Sequence, residues 1–393
     1  IIHFITKLAN ETVSLNACIP YILANTNSKY TTLTKLNKKL SSLYGGVIKG
    51  AVSKIGDSQV LSLMSGCIND KYTLENELIT DELTEILMQC VTSPYIENGG
   101  FFAKDFELKK QELIDDIEAE INDKRSYAFK RANSQIFENE PSSISVKGDL
   151  ETAKMINPIS TYEQYLEILK TSQIEIFFVG ANEPHNSKQI ITNAFNSIKR
   201  SYAGKNISVK SIIKNEVRRI TEPHDVAQSK MVIAFKTDYD NMVALKLMNS
   251  IFGGTPFSKL FMNVREKLSL CYYCSSGVND KKGVIYVDSG VEHSNIQKAE
   301  NEILNQLSAV QNGDFTDDEI NNARLAIINS WKSVNDGARS IADWYFQRSY
   351  SGANESPEEF IDMLKRVTRD EIIAAANSLK LDTVYVLTKK GGC

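Results

Sequence analysis

Apolar and polar residues alternate in two segments of the chain, one in each half. In Ser53–Tyr72 two alternating runs flank Gly56, and in Val278–Asn295 two such runs flank Gly283. Alternation with a period of two is typical of strands that have one covered face. In both segments the second run ends in Ser-Gly and is followed by a helical pattern. The pattern predicts two β-hairpins, each followed by a helix.

A helical spacing of apolar residues then extends over a long stretch of each half, Asp105–Glu138 and Phe315–Tyr350. In the second stretch one buried face is predicted from the spacing of Ile320, Ala323, Ile327, Ile328, Trp331 and Val334. Capping boxes predict further helix starts. They occur at Ser160-x-x-Glu163, Thr316-x-x-Glu319 and Ser356-x-x-Glu359.

The same elements recur in the same order in both halves, which indicates an internal duplication. Each half ends with an apolar strand, Ile174–Gly180 in the first and Thr383–Thr388 in the second. A mostly antiparallel sheet with helices packed on one side is expected for each half. We therefore predict an α+β fold of two homologous halves, residues 1–201 and 216–393, joined by a linker at 202–215.

Composition excludes several classes of function. The 45 basic and 49 acidic side chains give a formal charge of −4, so the charge offers no case for nucleic-acid binding. No apolar run approaches the roughly 20 residues that a membrane-spanning helix needs. The six cysteines are scattered without the spacing of a secreted disulfide framework. We expect a cytoplasmic protein with reduced thiols that binds neither nucleic acid nor a membrane.

Two of the cysteines form the motif Cys271-Tyr-Tyr-Cys274. C-x-x-C often binds metal or undergoes redox cycling, but those sites usually have a second pair or open a helix. Here the motif lies in a predicted strand, where residues three apart point to opposite faces. We interpret both residues as buried thiols.

The run Asn249–Gly277 combines a Gly-Gly turn, an amphipathic helix, an Arg-Glu-Lys triplet and an aromatic strand. Further pieces of the same kind occur at Ser42–Gly46, Asp123–Phe129 and Ala227–Phe235. Together they resemble the pitrilysin/insulinase family of zinc metallopeptidases, which includes the mitochondrial processing peptidases. The resemblance covers almost the whole chain. It implies a duplicated fold of the LuxS/metallopeptidase type.

The zinc motif of that family, H-x-x-E-H, is absent from the 393 residues. Histidines one helical turn apart would hold the metal, and the glutamate would activate its water. The family places the motif upstream of a Gly-Gly turn such as Gly45-Gly46, and the corresponding segment, Ile19–Leu23, reads IPYIL. Glu118 and Glu120, where the family's distal glutamate ligand is expected, are interpreted as a solvated helix face.

The histidines do not provide an alternative metal site, because no two of the four lie within five residues of each other. They are His3, His185, His224 and His293. Templates for other enzymes, such as G-x-S-x-G and the Walker loop, are absent too. We expect no cofactor bound by this chain, no catalytic residue in it and no enzymatic activity on its own.

Arg265 stands seven residues before Tyr272. This spacing resembles that of an Arg and a Tyr with which the family holds the substrate backbone inside a closed chamber. A guanidinium offers planar donors to peptide carbonyls, and a phenol can donate to the same backbone. The alternative is that Arg265 pairs with a carboxylate such as Glu266 and that Tyr272 packs in the core.

The resemblance implies an inactive, substrate-binding subunit of a heterodimeric zinc peptidase. Its partner would be a homologous catalytic subunit that carries H-x-x-E-H and the zinc, and its substrate would be an unfolded peptide. This chain would supply half of the chamber together with Arg265 and Tyr272. One alternative is a structural or peptide-binding scaffold, for example a homodimer, without a peptidase role. Another is an enzyme with an unrecognised site. A peptide can also bind by adding a strand to a sheet edge, and the sequence leaves open which edge.

Overall fold

The fold is known from a computed structural model. It describes residues 1–181, 183–202, 204 and 208–389. Two compact units are formed, one from Ile1–Ala119 with Ile144–Ile207 and one from Glu120–Ser143 with Ser208–Cys393. The chain passes from the first unit to the second within the range expected for a linker. In addition, residues 120–143 come from the first half of the sequence and belong to the second unit.

The secondary structure alternates between strands and helices along the chain. The strands are β1 (Ile2–Lys7), β2 (Val47–Ile55), β3 (Ser58–Gly66), β4 (Ile96–Glu97), β5 (Gly100–Phe101), β6 (Gln173–Ile176), β7 (Arg218–Pro223), β8 (Ser229–Lys236), β9 (Cys271–Asn279), β10 (Val284–Val291) and β11 (Lys380–Thr388). The α-helices are α1 (Val13–Leu23), α2 (Leu33–Ser42), α3 (Ile79–Thr92), α4 (Ala103–Ala119), α5 (Lys124–Ile136), α6 (Leu150–Met155), α7 (Pro158–Thr171), α8 (His185–Asn196), α9 (Met242–Asn249), α10 (Ile296–Gln311), α11 (Asp317–Lys332), α12 (Ala338–Tyr350), α13 (Pro357–Arg366) and α14 (Arg369–Asn377). None of the helices in the described part of the chain is both long and apolar enough to cross a membrane.

The first unit contains an antiparallel sheet in the order β2-β3-β1-β6. Phe4, Leu61 and Leu63 lie on one face of this sheet and are buried in an apolar core with residues of α1, α3 and α7. The hairpin predicted around Gly56 is the pair β2–β3. Its sequence alternates because one side of the hairpin faces that core.

The second unit contains a sheet in the order β7-β11-β8-β10-β9, in which only the pairing of β11 with β7 is parallel among the described strands. The hairpin predicted around Gly283 is the pair β9–β10. The mostly antiparallel α+β fold with helix-covered sheets is thereby confirmed. One face of the sheet packs on α9, α10, α11, α13 and α14, with Met231, Ile233 and Phe235 of β8 in that core.

The sheet of the second unit is covered on its other face as well, by α5. Val232 and Ala234 of β8 pack there against Ala128 and Ala132 of the helix. The expectation of helices on one side only is therefore wrong for this sheet. The reason lies in β8, where both alternating sets of side chains are apolar, so both faces need to be covered.

The two long helical stretches predicted from periodicity are each divided in two. A 3₁₀ turn at Glu120–Asn122 separates α4 from α5, and Asp123 then caps α5 by accepting the backbone N–H groups of Arg125 and Ser126. The second stretch is divided in the same way at Ser333–Asp336. Periodicity continues through such turns, so it does not reveal them.

Two of the three predicted capping boxes are confirmed, at Thr316 before α11 and at Ser356 before α13. The third is wrong. Helix α7 begins at Pro158, so Asn157 is the N-cap and Ser160 occupies the third helical position. Proline is favoured in the first helical turn and asparagine is a strong N-cap, which together start the helix earlier.

Candidate functional site

Arg265 lies on a π-helix, Leu260–Lys267, which follows a shorter π-helical segment at Ser250–Gly254. π-helices are rare and frequently occur at functional sites. The shorter segment contains the Gly-Gly pair of the sequence motif. A Cβ at Gly253 would lie 2.6 Å from Oγ of Ser276 on β9, so the glycine allows the segment to pack directly on that strand.

The side chain of Arg265 is 39% exposed, and its guanidinium lies over the ring of Phe261 at 4.5 Å from the centroid. Its Nη1 is 3.3 Å from Oε1 of Glu266, which is the ion pair expected under the alternative interpretation. An exposed pair of this kind stabilises a protein by about 0–1 kcal/mol. Among the described residues, this pair engages one nitrogen of a group with five donors, so the remaining donors are available to a ligand.

Tyr272 does not pack in the core, because 60% of its surface is exposed. That half of the alternative interpretation is wrong. The phenol donates a hydrogen bond to Oε1 of Glu292, just beyond the end of β10. This hydrogen bond to a carboxylate raises the pKa of Tyr272, so the phenol remains a protonated donor at neutral pH.

A β-bulge explains why Tyr272 points outward. Val291 of β10 pairs with Cys271, whereas the preceding Gly290 pairs with Tyr273, so β9 has one extra residue at this point. The bulge also places Cys271 and Cys274 on the same buried face. There a hydrogen bond between the two thiols lowers the pKa of Cys271 and raises that of Cys274.

The prediction that the two cysteines are buried thiols is therefore confirmed, whereas the predicted direction of their side chains is wrong. Both are free and buried. The expectation that they point to opposite faces is wrong because the bulge shifts the alternation of the strand by one residue. A bulge leaves no signature in a single sequence such as CYYC, so only the structure reveals it.

The segment Ile19–Leu23, where the zinc motif was expected, is part of the apolar core of the first unit. Ile19, Ile22 and Leu23 of α1 are 2%, 3% and 1% exposed. The carbonyl of Pro20 lies so close to Gly50 of β2 that a Cβ on Gly50 would overlap it. Among the described residues, no group of three or more His, Cys, Asp and Glu side chains is arranged to hold a metal ion.

The remaining metal-ligand candidates are separated from one another. Glu118 is exposed on α4, and Glu120 forms an ion pair with Lys130. Each histidine has its own neighbours, which are Ser62 for His3, Glu183 for His185, Tyr127 for His224, and Ser229 and Thr388 for His293. The interpretation of these residues as structural or solvated agrees with their surroundings.

The fold is of the type found in M16 metallopeptidases, and apolar side chains occupy Ile19–Leu23, where the zinc motif was expected. Residues 160–327 match the family model described as "Peptidase M16 inactive domain". The predicted resemblance to the pitrilysin/insulinase peptidases is confirmed.

Three relatives illustrate the similarity. The "Probable inactive metalloprotease YmfF" of Bacillus subtilis is 27% identical over 398 residues, which cover 98% of this chain and 92% of that protein. The crystal structure of a conserved protein from Enterococcus faecalis superimposes with a TM-score of 0.92 at 27% identity, covering 99% of this chain and 92% of the other. The "Mitochondrial-processing peptidase subunit beta" of Saccharomyces cerevisiae is 32% identical over 106 residues, 27% of this chain and 22% of that one.

Proposed function

We propose that this chain is the non-catalytic, substrate-binding subunit of a heterodimeric zinc peptidase. The observation that carries the proposal is the exposure of Arg265 and Tyr272 on a π-helix and a β-bulge. In the same chain the segment Ile19–Leu23, where the zinc motif was expected, has no metal ligand. A homologous partner would supply H-x-x-E-H and the zinc. The two subunits would enclose an unfolded peptide, and we propose that they do so in the cytoplasm.

The two side chains can act together on a peptide backbone. The free donors of the Arg265 guanidinium can bind a substrate carbonyl, and Tyr272 can transfer its hydrogen bond from Glu292 to the same backbone. Placed opposite a partner's zinc, they would orient the scissile peptide and stabilise its developing negative charge. Removing one such donor typically lowers the rate by about 10²–10³-fold.

The edge strand β9 supports binding of an extended peptide next to these residues. Proteins usually protect sheet edges with charged residues or proline. Of the edge strands, β2 carries Lys49 and Lys54, β6 carries Glu175, and β7 is rich in charge. By contrast, Cys271–Asn279 contains neither a charged residue nor a proline.

The outer edge of β9 also has few hydrogen bonds of its own. Within the described chain, two side chains donate hydrogen bonds to main-chain carbonyls of β9: Oγ of Ser289 on the neighbouring strand β10 to Tyr273, at 3.0 Å, and Nδ2 of Asn249 to Ser276, at 3.4 Å. A bond of the latter length is weak and can be replaced by a main-chain N–H. An added peptide strand would be bound through main-chain groups and hence with little dependence on its sequence. We propose that the substrate pairs with this edge.

The test is cleavage of a quenched, unstructured peptide by this chain alone, by a homologous H-x-x-E-H protein alone, and by the two mixed, with zinc measured in each sample. We expect zinc and basal cleavage only with the partner, and a higher rate on mixing. If the two proteins form no complex and mixing does not raise the rate, the peptidase role is refuted. Binding of the peptide by a homodimer of this chain would then identify a scaffold instead.

A further inference from the structure

Asn98 and Gly99 form the turn of the short hairpin β4–β5 in the first unit. Each strand has two residues, and Glu97 pairs with Gly100 on either side of the turn. Both turn residues have a positive φ, 50° for Asn98 and 78° for Gly99. This is a type I′ turn, for which Asn-Gly is a strongly preferred sequence. Both residues are exposed, so water reaches the turn freely.

The side-chain amide of Asn98 and the backbone nitrogen of Gly99 are both free of hydrogen bonds among the described residues. The space around the turn is open as well, since a Cβ placed on Gly99 would have no neighbour within 4 Å. The hairpin consists of two residue pairs, so a rotation of the turn disturbs few ladder hydrogen bonds. The amide carbon of Asn98 and the nitrogen of Gly99 can therefore approach each other at little cost.

These two atoms are the reacting atoms of intramolecular deamidation. The nitrogen of Gly99 attacks Cγ of Asn98, a C–N bond forms, and the side-chain nitrogen leaves as ammonia with the proton of the attacking nitrogen. Water then opens the five-membered succinimide at either carbonyl, which gives aspartate or isoaspartate. Asparagine is among the thermolabile residues, and a following glycine has no side chain to hinder the attack. Water is the one co-reactant.

The sequence contains one further Asn-Gly pair, Asn312-Gly313, at the end of α10. Asn312 is exposed like Asn98. The backbone N–H of Gly313, however, donates to the carbonyl of Val310, at 3.1 Å. Gly313 also packs against α14, because a Cβ on it would lie 2.9 Å from Cδ1 of Ile373. The nitrogen that would attack Asn312 is thus bonded and held in place.

We propose that Asn98 is a site of spontaneous deamidation in the folded protein, at which the chain itself and water produce aspartate and isoaspartate. Asn312 is protected, since breaking one hydrogen bond slows a reaction that requires it by roughly 2–10-fold. This proposal is independent of Arg265, Tyr272 and any partner subunit.

The modification would change the charge and the backbone of the hairpin. Aspartate at position 98 adds a negative charge beside Glu97, whose carboxylate already accepts a hydrogen bond from Tyr95 at 3.2 Å. Isoaspartate adds a carbon to the main chain and so removes the two-residue turn that sets the hairpin register. Gly100 lies against the start of α7, where a Cβ on it would be 2.8 Å from the nitrogen of Ile159, so the hairpin is anchored next to the altered turn.

The experiment incubates the full chain at neutral and mildly alkaline pH, both folded and unfolded in guanidinium chloride. Peptide mapping by mass spectrometry follows aspartate and isoaspartate at positions 98 and 312, with Asn98→Asp as the reference for the aspartate product. For each position the rate in the unfolded chain is divided by the rate in the folded chain, which cancels the effect of the local sequence. We expect this protection to be about fivefold or more larger at Asn312 than at Asn98. The rate at Asn98 should rise with pH, since the attacking nitrogen reacts after losing its proton.

Asn312 serves as the matched control within the same molecule, because it is an exposed asparagine that is followed by glycine as well. Protection at Asn98 that equals or exceeds protection at Asn312 would overturn the proposal. So would an unmodified Asn98 in the folded protein after the time in which the unfolded chain is converted at that position.

Discussion

Arg265 and Tyr272 are exposed by local irregularities of the backbone. The π-helix carries Arg265, and the bulge in β9 turns Tyr272 away from the core and toward Glu292. Irregularities of both kinds are common next to functional sites because they change the direction in which side chains point. The sequence indicated the pair through its resemblance to the pitrilysin/insulinase family, and the structure adds that both side chains are accessible.

Arg265→Ala is expected to lower peptide cleavage by the complex by about 10²-fold, because a donor to the substrate carbonyl is lost. Among the described residues, the Arg265 side chain makes an exposed ion pair with Glu266 and lies over the ring of Phe261, so folding and subunit association should change little. Rates and complex mass are measured side by side. Arg339→Ala, which removes an arginine that is 57% exposed on α12, is the control. Wild-type cleavage by Arg265→Ala would exclude this residue from the mechanism.

The residues at the position where the zinc motif was expected lead to a second prediction. Ile19→His with Leu23→His restores two histidines at helical spacing, yet these positions lie in a packed core. We expect no bound zinc, no cleavage by the isolated chain, and a loss of about 2–5 kcal/mol in the free energy of unfolding per substitution. We also expect the groups that orient zinc-bound histidines to be missing there.

Zinc content, peptide cleavage and urea unfolding of this double variant test the prediction. Tyr21→His is the control, since Tyr21 is 36% exposed on the same helix and tolerates a polar side chain. Zinc-dependent cleavage by the double variant above a metal-free sample would show that a catalytic site can be restored by the ligands alone.

At the scale of elements, α5 is the helix whose position is decided by distant contacts. Glu222 of β7 accepts hydrogen bonds from Tyr127 (3.1 Å) and Arg131 (2.8 Å) of α5 and from Tyr385 (2.9 Å) of β11. Burial by itself raises the pKa of Glu222, but the bonds from Arg131, Tyr385 and Tyr127 outweigh it, and the pKa is lowered. The ionised carboxylate therefore fixes α5 on the sheet.

Folding lowers the pKa of Glu222 below its ordinary value of 4.5. Such a carboxylate stabilises the folded state fully at a pH above its unfolded-state pKa. This stabilisation is lost as the pH falls through the lower pKa of the folded state. Glu222→Gln should thus destabilise the protein at pH 7, by about 1–3 kcal/mol. The difference in the free energy of unfolding between the variant and the wild type should become smaller as the pH falls below about 4.5. Urea unfolding between pH 3 and 7 measures it, with exposed Glu216→Gln as the control. A difference that does not depend on pH would contradict the role of the charge.

How far the elements could be predicted depends on the range of the contacts that form them. Both hairpins and two capping boxes follow from neighbours within a few residues, and the sequence predicted them. The breaks at Glu120–Asn122 and Ser333–Asp336 and the bulge at Tyr272 depend on packing against other elements. Periodicity continues unchanged through all three, so they could not be predicted.

For the whole molecule, the division into two units leads to a prediction about fragments. Residues 208–393 alone lack α5, so the face of the sheet formed by Val232, Ala234, Val284, Tyr286, Tyr385 and Leu387 would be exposed. We expect this fragment to aggregate or to unfold at a lower temperature. A second fragment, in which residues 120–143 are joined to 208–393 through a flexible linker, should be soluble and unfold cooperatively.

Circular dichroism melting curves and gel filtration compare the two fragments. A version of the second fragment with Ala128→Asp and Ala132→Asp, which places charges on the buried face of α5, should behave like the fragment without the helix. Equal stability with and without residues 120–143 would show that α5 does not hold the second unit together.

The sequence by itself determined the duplication, the hairpins, the absence of a zinc motif and the spacing of Arg265 and Tyr272. The zinc motif's absence and the Arg265–Tyr272 spacing can be read directly from the order of the residues. The duplication and the hairpins follow from patterns formed by near neighbours along the chain. Only the tertiary structure decided which sheet α5 covers, that Tyr272 points outward, and that Cys271 and Cys274 share one face. Each of these depends on contacts between segments far apart in sequence, and local patterns of apolar and polar residues do not specify such contacts.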